Sequence, residues 1–314
     1  MGRYILRRVL YTIPVLFIIT LIVFSLIHLI PGDPVKLIYS IEGTEERIEK
    51  AREKLNLDKP VIVQYGIWMR NLSQGQMGES LRSGEEVAPI IFKKLGTTAI
   101  LTFSALLISI TLSIILGVIA ASRRNTTIDF GVMTLAVFGI SIPVFWTGIL
   151  VVLLFAVRLG LLPAIGYESF LENPAEAFRH LTLPALTLGF ALAGYTTRMT
   201  RSQMIDVLNQ DYIRTARAKG VKEGFVIYKH ALKNALIPVV TAIGLQLGFL
   251  MGGAVLVEQI FAWPGIGQLL IHAIFNRDYI MIQGITLVVA VLFVLINLIV
   301  DIIYAFLNPK IRYQ

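Results

Sequence analysis

The stretch DYIRTARAKGVKEGFVIYKHALKNALIPVV, residues 211–240, is a basic polar segment that leads directly into an apolar run. Ile213, Ala216 and Gly220 fall at i, i+3 and i+7, so a helix would carry them on one narrow face of small side chains. Its basic side chains project from other faces: Arg214, Arg217 and Lys219. A helix that lies on lipid usually carries bulky apolar residues instead. We therefore expect this helix to be a docking site that binds another protein.

Two short helices are predicted within this segment. Asp211 is suited to cap a helix that begins at Tyr212, and Gly220 permits a turn after it. A second helix then leads into the next apolar run, and it carries Phe225, Tyr228, Ala231 and Leu232. We take residues 204–233 as the candidate docking segment.

Side chains suited to catalysis or metal binding are sparse. The chain has no Cys and 4 scattered His, which predicts no metal site. It contains no phosphate-binding G-x-x-x-x-G-K-[ST] loop, no His-Glu-x-x-His and no pair of carboxylates within an apolar run. We therefore expect no catalytic residue, no enzymatic activity and no cofactor bound by this chain.

A few polar residues do lie within or beside the apolar runs, where they are costly. Asp301 is interpreted as an interfacial carboxylate paired with a nearby Lys or Arg; a proton relay would need a partner in another run. His28 is interpreted as an interface contact at the end of the first run. Gln246, Gln283 and Asn297 could line a pore or form hydrogen bonds between helices.

Helix-breaking and small residues also stand in the apolar runs. Pro143 lies in GISIPVFW, and Pro184 lies in a later run. Gly244, Gly248 and Gly252 repeat every four residues, which predicts a face that another helix can approach closely. These glycines are interpreted either as a site of close helix packing, which is a structural role, or as a hinge or a pore-facing strip, which would be functional.

Long apolar helices must position these residues. The chain is 56% hydrophobic and 15% charged, with mean hydropathy +0.74, whereas soluble domains are about 25% charged. Six runs free of Asp, Glu, Lys and Arg are long enough to span a bilayer. They are Val9–Gly32, Leu95–Ser122, Phe130–Val157, His180–Thr197, Asn234–Val257 and Tyr279–Val300. The first run is longer than a signal-peptide core and lacks a small-x-small cleavage pattern, so we expect a retained helix.

Charge predicts the orientation. With the N-terminus inside, the inner segments hold 15 of the 28 basic residues but only 5 of the 20 acidic ones. Positive charge gathers on the cytoplasmic side of membrane proteins, so the net charge of +8 indicates sidedness in a lipid bilayer, not nucleic-acid binding. Six spans with both ends in the cytoplasm are the favoured topology.

A long outer segment separates the first two runs. We divide the chain into residues 1–30, with the first span; residues 31–94, an extracytoplasmic insertion; and residues 95–314, a core with five spans. In the insertion, EGTEERIEKAREKLNL predicts an amphipathic helix capped by Thr44, and DKPVIVQYGIWM predicts a second helix after Pro60. We expect the insertion to form a lid on the outer face.

The run RTARAKG resembles the Glu-Ala-Ala coupling motif of ABC-importer permeases. That motif is Glu-Ala-Ala, three residues and then Gly, and Ala216 and Gly220 match it. Arg214 stands in place of the Glu, Thr215 in place of the first Ala, and Lys233 where many relatives have Pro. Other stretches are similar to the first permease subunit of the dipeptide/oligopeptide branch, which also includes nickel and glutathione importers. They are RYILRRVLYTIPVLFIITLIVFSLIHLIPGDP, LDKPVIVQYGIW, GQMGESLRSGEEV, RLGLLPAIGY, LTLPALTLG, VLVEQIFAWPGIGQLL and NPKIRY.

The resemblance covers essentially the whole chain, and what it implies is half of a translocation pathway in a prokaryotic cytoplasmic (inner) membrane. The implied fold is all-α, the type I ABC importer permease fold. The implied partners are a second related permease, two cytoplasmic ATPases that bind ATP and Mg, and an external substrate-binding protein. The implied docking residues are Ile213, Arg214, Ala216, Arg217 and Gly220; the candidates for pore lining or helix packing are Gly244, Gln246, Gly248, Gly252 and Pro143.

Alternatives remain open on the sequence. Peptides are the first expectation for the substrate, with nickel, glutathione or an oligosaccharide as alternatives. A secondary transporter would belong to another class, but it would need coupling groups at mid-membrane and often an inverted repeat, neither of which is visible. A membrane-embedded scaffold is the third possibility.

Overall fold

A computed structural model describes residues 2–29, 46, 49, 52, 53, 56–80 and 82–307. Only the backbone is described for residues 2–4, 245, 248, 249, 251–253 and 304–307. These residues form helices joined by turns, and the part of the chain described contains an isolated bridge between Glu79 and Glu86 but no strand. The expectation of an all-α protein is confirmed.

Within the described residues, ten helices can be given bounds, and in two places the helical path is wound as a π-helix. They are α1 Gly2–His28, α2 Val61–Ser73, α3 Val87–Ser122, α4 Thr127–Ser141, α5 Val144–Val151, α6 Pro174–Leu208, α7 Asp211–Ala218, α8 Leu232–Ile260, α9 Ile266–Phe275 and α10 Tyr279–Leu307. A π-helical segment, Val152–Arg158, continues α5. A helical turn, Glu223–Phe225, and a second π-helical segment, Val226–Ala231, lead into α8.

Three helices within the described residues are long and apolar enough to cross a membrane. They are Ile5–His28 in α1, the whole of α3, and Tyr279–Ile303 in α10. Helix α4 and the segment Val144–Arg158 add a fourth candidate if they form one broken span. The six predicted spans are thus supported in part, by length and composition.

The predicted run Phe130–Val157 is broken within the stretch GISIPVFW, where the sequence placed a helix-breaking residue. The helical path bends by 109° between Ser141 and Val144. Pro143 disfavours helical geometry for the residue before it, and Ile142 is extended, with φ −83° and ψ 129°. The break lets Pro143 start α5 as its N-cap.

Pro184 has a different effect, because α6 continues through it and past Arg198 to Leu208. The Asn173 side chain accepts a hydrogen bond from the Glu176 amide and caps this helix, and Pro174 occupies its first turn. Helix α6 thus extends beyond the predicted run His180–Thr197 at both ends. The helix predicted after Pro60 is confirmed, as α2. Thr44 lies outside the described residues, while Glu46, Glu49, Arg52 and Glu53 of the first outer helix are helical.

The chain divides into two compact units. One unit contains residues 99–263 together with the described residues before 5 and after 295. Its core is a buried cluster that includes Leu101, Leu188, Leu250 and Trp263. The other unit contains the described residues of 5–98 and residues 264–295, and its core includes Val87, Ile91, Ile266 and Ile285.

Candidate functional site

The candidate docking segment, residues 204–233, runs from the end of α6 through α7, the turn at Gly220 and the helical residues 223–231 to the start of α8. Asp211 was expected to cap a helix from Tyr212, but α7 starts one residue earlier, with Gln210 as the N-cap and no side-chain cap bond. Asp211 therefore occupies the first turn, where its negative carboxylate interacts favourably with the positive end of the helix dipole. Its Oδ1 atom lies 3.5 Å from Arg214 Nη1.

One face of α7 is anchored to the rest of its unit. Ile213 is fully buried, and Ala216 packs against the same apolar cluster. The buried members of that cluster come from four helices and a π-helical segment, and they are Val118, Ala121, Met204, Ile213, Val226, Ala231 and Ala235. Two of the three small-face residues thus point into the chain, and they fix α7 against α3, α6 and α8.

The opposite face of α7 is open. Asp211, Arg214, Thr215 and Ala218 are exposed, and helical spacing places them away from Ile213. Gly220, just beyond the helix, has φ +74°, the left-handed region that favours glycine. A Cβ built there would meet no described atom within 4 Å, so the backbone turn explains the glycine and close packing does not.

A bidentate ion pair closes this turn. Arg217 donates from Nη2 to Glu223 Oε1 at 2.6 Å and from Nε to Oε2 at 3.1 Å. The bonds from Arg217 lower the pKa of the Glu223 carboxyl below its usual value, against the opposing effect of desolvation. Because the two residues flank Gly220, the pair holds α7 against the start of the next helix.

Aromatic side chains extend the open surface beyond α7. Phe225 and Tyr228 are more than half exposed, and the Lys229 ammonium lies 5.6 Å from the centre of the Phe225 ring. Tyr212 accepts a hydrogen bond at its hydroxyl from Asn234 Nδ2, at 2.8 Å. The segment therefore exposes small, basic and aromatic side chains, while the buried side of α7 holds its backbone in place.

Sequence reasoning missed a buried ion pair between α4 and α6, the helix that precedes α7 in the chain. Arg201 on α6 donates from Nε and Nη2 to the two carboxylate oxygens of Asp129 on α4, each at 2.6 Å. Asp129 is 2% exposed and its Oδ2 also accepts the Asn125 amide at 2.9 Å. The sequence counted both residues only as inner-side charges. One signal was present: Thr126 and Asp129 have the spacing of a helix-capping box.

Glycines bring the same helices close together. A Cβ at Gly117 of α3 would lie 2.6 Å from Thr200 Cβ of α6, and one at Gly194 of α6 would collide with the Ala136 carbonyl oxygen of α4. Gly139 of α4 faces the Phe190 carbonyl oxygen of α6. Helices α3, α4 and α6 therefore pack backbone to backbone, and α6 continues into α7 through Asn209 and Gln210.

The pore and packing candidates fall in different places. A Cβ at Gly244 of α8 would lie 2.6 Å from Val300 Cγ1 of α10, so this glycine permits close helix packing. Gln246 accepts a hydrogen bond from Thr196 Oγ1 at 3.1 Å, which joins α8 to α6. Pro143 sits at the 109° bend. The surroundings of Gly248 and Gly252 lie outside the described side chains.

The remaining polar residues of the apolar runs also have partners. Gln283 Nε2 donates to the Val23 carbonyl at 3.3 Å, and His28 Nε2 lies 3.0 Å from Gln64 Oε1. Asn297 and Asp301 each make an interaction within the chain. The basic residues expected to pair with Asp301, beyond residue 307, lie outside the described range.

Known proteins are similar to this chain over its full length. A peptide transport system permease protein of Brucella abortus (strain 2308) is 45% identical over 314 residues, which cover all of both chains. The glutathione transport system permease protein GsiC of Escherichia coli (strain K12) is 44% identical over 314 residues, again with all of both chains covered.

A solved structure of the MetNI methionine ABC transporter, in inward-facing conformations, resembles 70% of this chain and 96% of the matched one. The TM-score is 0.59 at 18% sequence identity, so the likeness concerns the fold alone. Residues 1–102 match the N-terminal model of binding-protein-dependent transport system membrane components, and residues 113–313 match the model of the inner membrane component itself. The chain thus belongs to the family of inner membrane components of binding-protein-dependent transport systems.

Proposed function

We propose that this chain is the non-catalytic permease subunit of an ATP-driven ABC importer and that it forms half of a pathway for di- and oligopeptides. The docking segment carries the proposal, because α7 exposes one face while its opposite face packs against other helices of the chain. Family membership and the peptide and glutathione transport names of the relatives support the class and the substrate.

The proposed topology has six spans with both ends in the cytoplasm, in a prokaryotic inner membrane. The excess of basic residues on the inner segments supports it, and so do the three to four apolar helices found by length and composition. A second, related permease would complete the pathway. The division into residues 1–30, 31–94 and 95–314 is retained as a proposal on the same grounds.

Coupling to ATP would run through α7. The exposed residues Arg214, Thr215 and Ala218 would occupy a groove of a cytoplasmic ATPase subunit. Gly220 would form the turn that follows them. Ile213 and Ala216 would transmit the movement inward, because they pack against helices α3, α6 and α8. Arg217 would hold the segment rigid through Glu223. ATP and Mg would bind to the two ATPase subunits, and this chain would need no cofactor.

Within the membrane, Gly244 and Gln246 would set the packing of α8 against α10 and α6, and Gly248 and Gly252 are proposed to continue that face. Pro143 would be a bend in the pathway. An external binding protein would deliver the substrate to the outer side. Nickel, glutathione or an oligosaccharide would use the same architecture, and GsiC is named for glutathione transport.

Reconstitution tests the proposal and separates it from a secondary transporter. The tagged chain should co-purify with a second permease and two ATPase subunits. Vesicles that contain this complex should take up a labelled dipeptide only when the binding protein is outside and ATP is inside. Uptake by the chain alone, driven by an ion gradient, would contradict the proposal.

A further inference from the structure

Helix α2 of the outer insertion packs directly against the membrane-spanning helix α1. The ring of Phe24 in α1 contacts Tyr65 of α2 edge to face and Trp68 of α2 at a tilt, with ring centroids 5.3 and 5.7 Å apart. The Tyr65 hydroxyl lies 2.8 Å from Thr20 Oγ1, and because that Oγ1 already donates to the Phe17 carbonyl, Tyr65 is the donor. The contact is specific and combines aromatic packing with a neutral hydrogen bond.

These contacts set the depth of α2. Thr20 lies eight residues before the end of α1 at His28, which is about 12 Å along a helix. The candidate span Ile5–His28 contains both Thr20 and Phe24. Gln64 meets His28 at the outer end of that span, while the Tyr65 side chain reaches down to Thr20. Helix α2 therefore lies at the level where the outer part of α1 enters the hydrocarbon.

The start of α2 carries exposed apolar side chains. Val61, Ile62 and Val63 are 53%, 85% and 46% exposed, and Arg70 is the only charged residue between Val61 and Ser73. Helix α1 also exposes an apolar side chain between Thr20 and Phe24, with Ile22 at 59%. Tyr and Trp, as found at positions 65 and 68, are enriched at membrane–water interfaces. The exposed apolar side chains at the start of α2 therefore suit contact with lipid.

We propose that α2 is an interfacial helix, with Val61, Ile62 and Val63 inserted among the lipids of the outer leaflet. The proposal rests on the membrane-spanning role of α1 in the proposed function. It replaces the simple lid expected from the sequence: the insertion is fixed in the bilayer surface beside α1 by Tyr65, Trp68 and Phe24. Its bound partner is lipid.

Single cysteines test this placement, because the chain has no Cys of its own. I62C would be labelled with an environment-sensitive fluorophore in the full chain, purified with its co-purifying partners. The sample would be reconstituted into nanodiscs of phosphatidylethanolamine and phosphatidylglycerol. I22C on α1 is the lipid reference, and Q74C, just after α2, is the aqueous reference. Spin-labelled lipids and dissolved iodide would serve as quenchers.

The proposal expects spin-labelled lipid to quench I62C as strongly as I22C, and iodide to quench Q74C alone. Quenching of I62C by iodide would place the side chain in water and overturn the proposal. Protection of I62C from both quenchers would place a protein over it and would also overturn the proposal. If I22C escaped lipid quenching as well, the spanning role of α1 would fail, which separates that failure from one confined to α2.

Discussion

The segment around α7 and helix α2 are both short helical regions of the chain, but different interactions hold them in place. Arg217 and Glu223 form a bidentate ion pair beside α7, and Asp129 and Arg201 form a second one between α4 and α6, the helix that leads into α7. Around α2, the described contacts with α1 are aromatic rings and hydrogen bonds without a carboxylate–guanidinium pair.

The difference agrees with the two proposed roles. Guanidinium–carboxylate pairs fix both distance and direction, which would suit the mechanical coupling proposed for α7. Aromatic side chains with one polar atom suit the boundary between lipid and water, where a buried charge would be costly. Substitutions in one region at a time should destabilise the protein by decreasing amounts, from Asp129 to Glu223.

Asp129→Ala should be the most damaging substitution. It would leave the partly buried Arg201 guanidinium without its carboxylate, at a cost of about 3–5 kcal/mol in the free energy of unfolding. Thermal unfolding of the purified protein would measure this loss. Asp206→Ala, at an exposed position of the same helix α6, is the matched control and should change little. Equal unfolding temperatures for D129A and D206A would refute a structural role for the pair.

Gly194→Ala should separate α4 from α6, because the new methyl group meets the Ala136 carbonyl, which is backbone and cannot move aside. We expect a loss of about 1–3 kcal/mol. Gly284→Ala in the other unit should cost less, since its methyl group meets the ends of the Val87 and Ile91 side chains. Gly131→Ala, with no described atom within 4 Å, is the control. Thermal midpoints should fall in the order G131A, G284A, G194A, and the reverse order would contradict the packing described for α4 and α6.

Tyr65→Phe should weaken the outer contact moderately. It keeps the ring against Phe24 but removes the hydrogen bond to Thr20, which is worth about 1 kcal/mol. Thr20→Val should cost a similar amount, and the double variant should cost less than the sum. Thermal unfolding of the four proteins in a double-mutant cycle gives the coupling energy. Strict additivity would show that the two hydroxyls do not interact.

Glu223→Gln should have the smallest effect, below about 1 kcal/mol, because both partners of the pair are about half exposed. The folded state lowers the pKa of Glu223, so the pair stabilises the fold above the ordinary carboxyl pKa of about 4.3. This contribution should be lost as the pH falls through the lowered pKa. Thermal midpoints of the native protein and E223Q should differ at pH 7 and converge in acid; a constant difference would contradict the linkage.

The sequence predicted the existence of these elements better than their orientation. The spacing predicted one face of small side chains for Ile213, Ala216 and Gly220, but Gly220 lies beyond the end of α7, and periodicity does not say whether a face turns toward a partner or toward the chain. Here the residues opposite, Thr215 and Ala218, are the open ones.

Tertiary contacts explain the bend at Pro143 and the ion pair of Asp129 with Arg201, which the sequence did not predict. Pro143 and Pro184 both stand in apolar runs, yet the helical path breaks at one and continues through the other. Nothing local distinguishes them, and the break lies where Gly139 is pressed against the Phe190 backbone. Asp129 and Arg201 are 72 residues apart, so only the packing of α4 on α6 pairs them.

The central claim is that the open face of α7 docks to an ATPase subunit. The most direct test is ATP-driven dipeptide uptake by reconstituted complexes that carry Ala218→Trp, on the exposed face, with Gln210→Trp before the helix as the control. We predict that A218W inserts into the membrane with a native thermal midpoint but loses most uptake, while Q210W keeps it. Full uptake by A218W would contradict the account.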